Sequence, residues 1–147
     1  MRVSVATFAR LTKARSEGLL GQIWDQREAY GERSDCSVIA MSCAFGIPYN
    51  VAHDILKDAG RVDKRGFGFC AWLRQTVAAL DHICGYKVTP VRVPRLTLSQ
   101  VRRDFPKGRF VIRKSGHAFA MIDGKILDPE ASGPRAIVTD IFLLERV

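Results

Sequence analysis

Gly116-His117-Ala118-Phe119-Ala120-Met121-Ile122-Asp123-Gly124-Lys125-Ile126-Leu127-Asp128 is the stretch from which the fold can be read. Residues alternate in character on both sides of Asp123-Gly124, a dipeptide that favours a two-residue hairpin turn. Side chains alternate across a strand, so His117, Phe119 and Met121 share one face. With a two-residue turn, Met121 lies opposite Ile126 and Phe119 opposite Asp128. Asp128 then falls on the face of His117, at a diagonal position that both side chains can span. A carboxylate there can fix the tautomer and orientation of the imidazole.

Outward from the hairpin, the period of two continues. Arg109 to Arg113 reads as a strand, and 136–144 as the last strand. Tyr86, Val88, Val91 and Val93 read as a strand interrupted by Pro90, hence an edge or two short pieces. A short helix over 97–105 is capped by Thr97 or Ser99. Before residue 85 the period is helical. Leu19, Leu20, Ile23 and Trp24 form a stripe over 17–30, and Gly31 ends it. A helix with Val38, Ile39, Met41, Cys43 and Ala44 starts after Ser34 or Asp35 as N-cap and stops at Gly46. Pro48 opens another, with Val51, Ala52, Ile55, Leu56 and Ala59 inward and Gly60 after it. A further helix covers about 70–83, with Trp72, Leu73, Val77 and Leu80 inward. Val3, Val5 and Phe8 fit a strand or a short helix. Helices first and strands after indicate α+β, one domain over 1–147, helical to about 85 and sheet from about 86.

The chemistry of the helical half centres on Arg33-Ser34-Asp35-Cys36-Ser37-Val38-Ile39-Ala40. Cys36 opens an apolar helix, where unpaired N–H groups and the positive end of the dipole favour a thiolate. A histidine cation would add to that, and the Cys36 N–H could serve a developing oxyanion. Cys36, His117 and Asp128 are therefore the candidate catalytic residues for acyl transfer.

Asp35-Cys36 at the helix start, Gly46-Ile47-Pro48-Tyr49, Ala59-Gly60-Arg61, Gly116-His117-Ala118-Phe119 and Ile122-Asp123-Gly124 running to Leu127-Asp128 together resemble small papain-like cysteine peptidases. The resemblance is to the short forms of bacteria and their phages and covers about residues 30 to 130. It implies a papain-like fold, with an N-terminal helical subdomain on a C-terminal antiparallel sheet and a cleft between. It also implies a peptide or protein substrate, Cys36 as nucleophile, His117 as general base and acid, and Asp128 as orienting residue. The location implied is the cytoplasm of a bacterial or phage-infected cell, or a virion. One element departs from the pattern. Larger members carry a glutamine about six residues before the cysteine; Tyr30 stands there, with Gln22 and Gln26 further upstream. A catalytically weak or inactive relative, used as a binding or assembly module, is the alternative this departure motivates.

The remaining candidates have plainer readings. Cys43, Cys70 and Cys84 read as packing, His53 as a solvated surface residue, and His82 as a cation in the last turn of its helix. Asp123 is explained by the turn, and Trp24 and Trp72 by their apolar stripes. No C-x-x-C pair supports a metal site, and no cofactor is expected. No signal peptide and no apolar run of the ~18 residues a membrane span needs is visible. The expectation is a soluble intracellular protein with reduced thiols. The net charge is +8. Between Lys87 and Lys114 nine Lys or Arg face a single acid, Asp104, which suits an acidic partner. Aromatics are sparse there, which argues against nucleic-acid recognition. The loop 61–68 and residues 129–135 are the candidate cleft rims.

Overall fold

Among the described residues, five helices and six strands follow in the order the two periodicities dictate. They are α1 (Ser16–Ala29), α2 (Cys36–Phe45), α3 (Tyr49–Asp58), α4 (Phe69–Ala79), β1 (Tyr86–Val91), β2 (Leu96–Thr97), α5 (Leu98–Asp104), β3 (Arg109–Lys114), β4 (His117–Ile122), β5 (Lys125–Leu127) and β6 (Ile137–Arg146). The computed structural model describes residues 16–92, 94–128 and 133–147. Val3, Val5, Phe8 and Val93, and the 129–132 part of the expected rim, lie outside the described residues. The protein is α+β, with a wholly antiparallel sheet of order β1-β6-β3-β4-β5 and β2 added on β6. No helix among the described residues is long and apolar enough to cross a membrane.

Alternation along the strands gives the sheet two apolar faces. Val88, Val111, Ala118, Ala120, Phe142 and Leu144 pack with α2, α3 and α4. Phe110, Ile112, Phe119, Met121 and Ile141 pack with Leu98 and Val101 of α5. Pro90, which cannot donate to a ladder, sits on the edge strand β1. The turn between β4 and β5 has two residues, since Ile122 pairs with Lys125. Asp123 and Gly124 both have positive φ (50° and 77°), as that turn requires. Asp123 also accepts from the Gly108 N–H at 2.9 Å, which supports its reading as a turn residue.

The helix bearing Cys36 is held at both ends. At its C-terminus Gly46 takes the left-handed conformation (φ 63°) and closes the last turn onto the Ser42 carbonyl. Arg109 of β3 donates to the carbonyls of Cys43 and Ala44 at 3.0 and 2.7 Å, a cation at the negative end of the dipole. Along its length α2 lies against β4. The side chains that meet there include Ala40, Ala44, Ala118 and Ala120, all buried. Such short side chains let helix and strand approach closely.

Several sequence expectations need correction. Trp24 is 38% exposed and Leu80 54% exposed. The Trp24 ring carries the Arg27 guanidinium 4.5 Å from its centroid. Helix α4 ends at Ala79, so Leu80 is already extended and His82 lies outside the helix. Val51 is exposed, while Tyr49 and His53 take inward positions on α3. Cys84 is exposed rather than packed.

Candidate active site

Cys36 is the first residue of α2 and His117 the first residue of β4. Strand parity puts His117 with Phe119 and Met121, on the face away from α2. The two still meet because both stand at the ends of their elements. β5 pairs with β4 only from Ala120 to Ile122. The edge beside His117 therefore lacks a strand partner on that side among the described residues, and the imidazole can reach round it.

His117 Nε2 lies 2.9 Å from Asp128 Oδ2, and Asp128 is 2% exposed. The hairpin parity thus brings imidazole and carboxylate together as the spacing implies. With Nε2 engaged, Nδ1 remains for the hydrogen bond to Cys36. These two hydrogen bonds, Asp128's first, push the His117 pKa up to about 10 against the opposing effect of burial. Cys36 is half-buried. It lines a cavity of about 330 Å³ together with Arg27, Asp35, His117, Phe119 and Asp128.

The turn before Cys36 is fixed by buried polar groups. Asp35 occupies the N-cap position, but its side chain makes no cap hydrogen bond. The 1%-exposed carboxylate is instead committed elsewhere. Tyr49 Oη donates to Oδ2 at 2.7 Å, and Arg27 Nε pairs with Oδ1 at 2.7 Å. Burial, followed by the hydrogen bond to Asp35, raises the Tyr49 pKa and keeps the phenol protonated as a donor. Glu32 anchors the other side of the turn. Arg61 donates to both of its oxygens at 3.0 Å, the Lys64 N–H donates at 2.8 Å, and His53 Nε2 lies 2.6 Å away. Burial works against the carboxylate, yet these partners hold its pKa down to about 2. His53 is therefore a buried partner of Glu32, not a solvated residue, and its ring stacks on Tyr30 at 4.9 Å.

Glu32, His53 and Asp63 offer three potential metal-ligand atoms within 4.8 Å of one another. Both Glu32 oxygens already accept from the Arg61 guanidinium, so the cation in this cluster is a side chain. Tyr30, at the expected glutamine position, is stacked with Tyr49 and His53. Gln26 remains in α1, buried, and is not among the residues lining the cavity. Cys43 is buried in the core and its thiol is pushed up to about 12 by burial. Cys70 is also buried and is pushed up to about 11 for the same reason. Sequence reasoning does not bring Glu32, Asp35, Tyr49, His53 and Arg61 together as a group; the polar run Glu32-Arg33-Ser34-Asp35, and Tyr49 and Arg61 within the resembling stretches, are the signals they leave.

The chain matches no protein-family model, no curated protein and no solved structure.

Proposed function

We propose that the protein is a cysteine hydrolase of papain-like type that cleaves an amide bond in a peptide or protein. One observation carries this reading: a single imidazole bonded both to the thiol at a helix N-terminus and to a buried carboxylate, beside an open cavity. Cys36 Sγ attacks the carbonyl carbon as the thiolate. The Cys36 N–H and the dipole of α2 face the developing oxyanion. His117 gives its proton to the leaving nitrogen as the C–N bond breaks, leaving a thioester on Cys36. It then takes a proton from water as the oxygen attacks the thioester, and the C–S bond breaks to release the acid and restore the Cys36 thiolate beside the His117 imidazolium. Asp128 holds the ring in place throughout.

The experiment is competitive labelling with limiting iodoacetamide at pH 6.5, read at each cysteine by mass spectrometry. Cys36 is expected to react at least tenfold faster than exposed Cys84, and a Cys36→Ala variant to lose the fast phase. Equal rates at the two thiols would overturn the enzyme reading. Tyr30, committed to a ring stack where a side-chain amide was expected, favours a second reading, a non-catalytic module of the same fold. A Cys36→Ser protein that retains full biological function would support it.

A further inference from the structure

A second cavity, of about 290 Å³, opens on the other side of the Cys36–His117 pair, toward α4 and β6. It shares Cys36, Gly116, His117 and Ala118 with the first. It continues through Arg74 and Asp140 into a shallower trough of about 510 Å³ that reaches Arg92. The surface is thus one groove with the thiol part-way along it, and its two arms differ in charge. On the α1 side Arg27 is balanced by Asp35. On the α4–β6 side three arginines, Arg74, Arg92 and Arg113, face one carboxylate, Asp140, among the described residues.

Two of these arginines are held in place. Asp140, 13% exposed, pairs with Arg74 through Oδ1 and with Arg113 Nη1 through Oδ2, the latter at 3.3 Å. Arg74 also lies over the Phe142 ring, 5.6 Å from its centroid, and Arg113 donates to Thr139 Oγ1 at 3.2 Å. A guanidinium has five N–H donors in a fixed fork. Asp140 and Thr139 engage only part of the two sets, and one carboxylate cannot neutralise two cations. Both side chains are still 42–53% exposed. An arginine pair ordered in advance and left with spare donors suits bidentate recognition of carboxylates.

We propose that the α4–β6 arm binds an acidic segment of an extended polypeptide, so that the substrate class is a protein cut next to Asp- or Glu-rich sequence. This rests on Cys36 being the nucleophile, and it narrows the basic stretch of the sequence to Arg92 and Arg113, joined by Arg74 from outside it. Among the described residues lining this arm the aromatics are Phe67 and Phe69 at its inner end and Phe142, whose ring is covered by Arg74. That leaves few open platforms on which bases would stack and favours peptide over nucleic acid.

The test is protection of Cys36 from iodoacetamide, read by mass spectrometry, in the presence of tetraglutamate, tetraglutamine or a single-stranded oligonucleotide of equal charge. Tetraglutamate is expected to protect wild type at concentrations about tenfold below tetraglutamine. That advantage should vanish in Arg74→Gln and in Arg113→Gln, each compared with its own unprotected rate and checked for folding by its melting temperature. Arg92→Gln, at an exposed site, serves if either of the others fails to fold. Equal protection by the acidic and neutral peptides, an advantage that survives the arginine substitutions, or equal protection by the oligonucleotide would overturn the proposal. The rate without any peptide reports the nucleophile separately, so the two readings fail by different results.

Discussion

Tyr49 donates a 2.7 Å hydrogen bond to Asp35, the residue immediately before Cys36, from a side chain fourteen positions further along the chain. Asp35 is 1% exposed, and its two oxygens are met by this bond and by the ion pair with Arg27. Tyr49→Phe removes the donor and leaves part of a buried carboxylate unsatisfied. That should cost about 1–3 kcal/mol and lower the melting temperature. It should also slow alkylation of Cys36, because Asp35, in the turn that aims the thiol, loses one of its two partners. Unchanged alkylation in a destabilised protein would show that Asp35 serves the fold alone.

Glu32 and Arg61 make a stability prediction with a defined pH sign. The folded Glu32 pKa is held down to about 2 from an ordinary 4.5. A depressed carboxylate stabilises the protein fully above its unfolded pKa, and that contribution is lost as pH falls. The loss therefore runs from about pH 4.5 down to about 2. Glu32→Gln should flatten this part of the acid limb in a plot of melting temperature against pH. At pH 7 Arg61→Ala should destabilise by about 3–5 kcal/mol, because it leaves a buried carboxylate without its bidentate partner.

The anchors differ from Cys36, His117 and Asp128 in how far the sequence reveals them. Turn chemistry and a period of two were enough to pair His117 with Asp128, because the register of a two-residue hairpin leaves no freedom. Cys36 at a helix start was legible from the apolar run after it. The meeting of Cys36 with His117 follows from the resemblance and not from periodicity: parity puts His117 on the face away from α2, and the contact depends on where β5 stops. Glu32 and Arg61 are 29 positions apart and belong to no shared periodicity. His53 lies off the apolar stripe of α3, and it is buried because a carboxylate, not a hydrocarbon, receives it. Ser34 or Asp35 is the cap the sequence offers for α2, and Asp35 takes that position without a side-chain cap bond. Local capping lost to Tyr49 and Arg27, partners that only the tertiary fold supplies.

The close approach of α2 to β4 yields a third prediction. Ala120 is fully buried between them and Ala118 nearly so. Ala120→Leu adds three carbons at a position with no exposed surface, which should cost about 1–3 kcal/mol. The helix must move away from the strand, and Cys36 moves with it. Cys36 alkylation should fall toward the rate of an ordinary thiol, whereas Ala78→Leu on an exposed face of α4 should leave it unchanged. A loss of stability with no loss of reactivity would mean that the Cys36–His117 contact is set locally and not by the helix–strand distance.

The pH dependence of Cys36 tests the pair most directly. His117 is raised from 6.5 to about 10 by its hydrogen bonds to Asp128 and Cys36. A raised histidine contributes stability that is complete below pH 6.5 and is lost as pH rises through the folded value. Across that window the imidazolium faces Cys36 and favours the thiolate. Wild type should therefore alkylate rapidly at pH 6 to 7, where a free thiol with a pKa near 8.5 is slow. In His117→Ala the profile should revert to that of a free thiol, rising above about pH 8. Asp128→Asn should fall between the two, since Asn can still accept from the ring N–H but supplies no charge to hold the cation. Cys43 and Cys70, buried and held protonated to about pH 12 and 11, should stay silent and give internal references. If the three proteins share one profile, His117 and Cys36 are neighbours without being a catalytic pair.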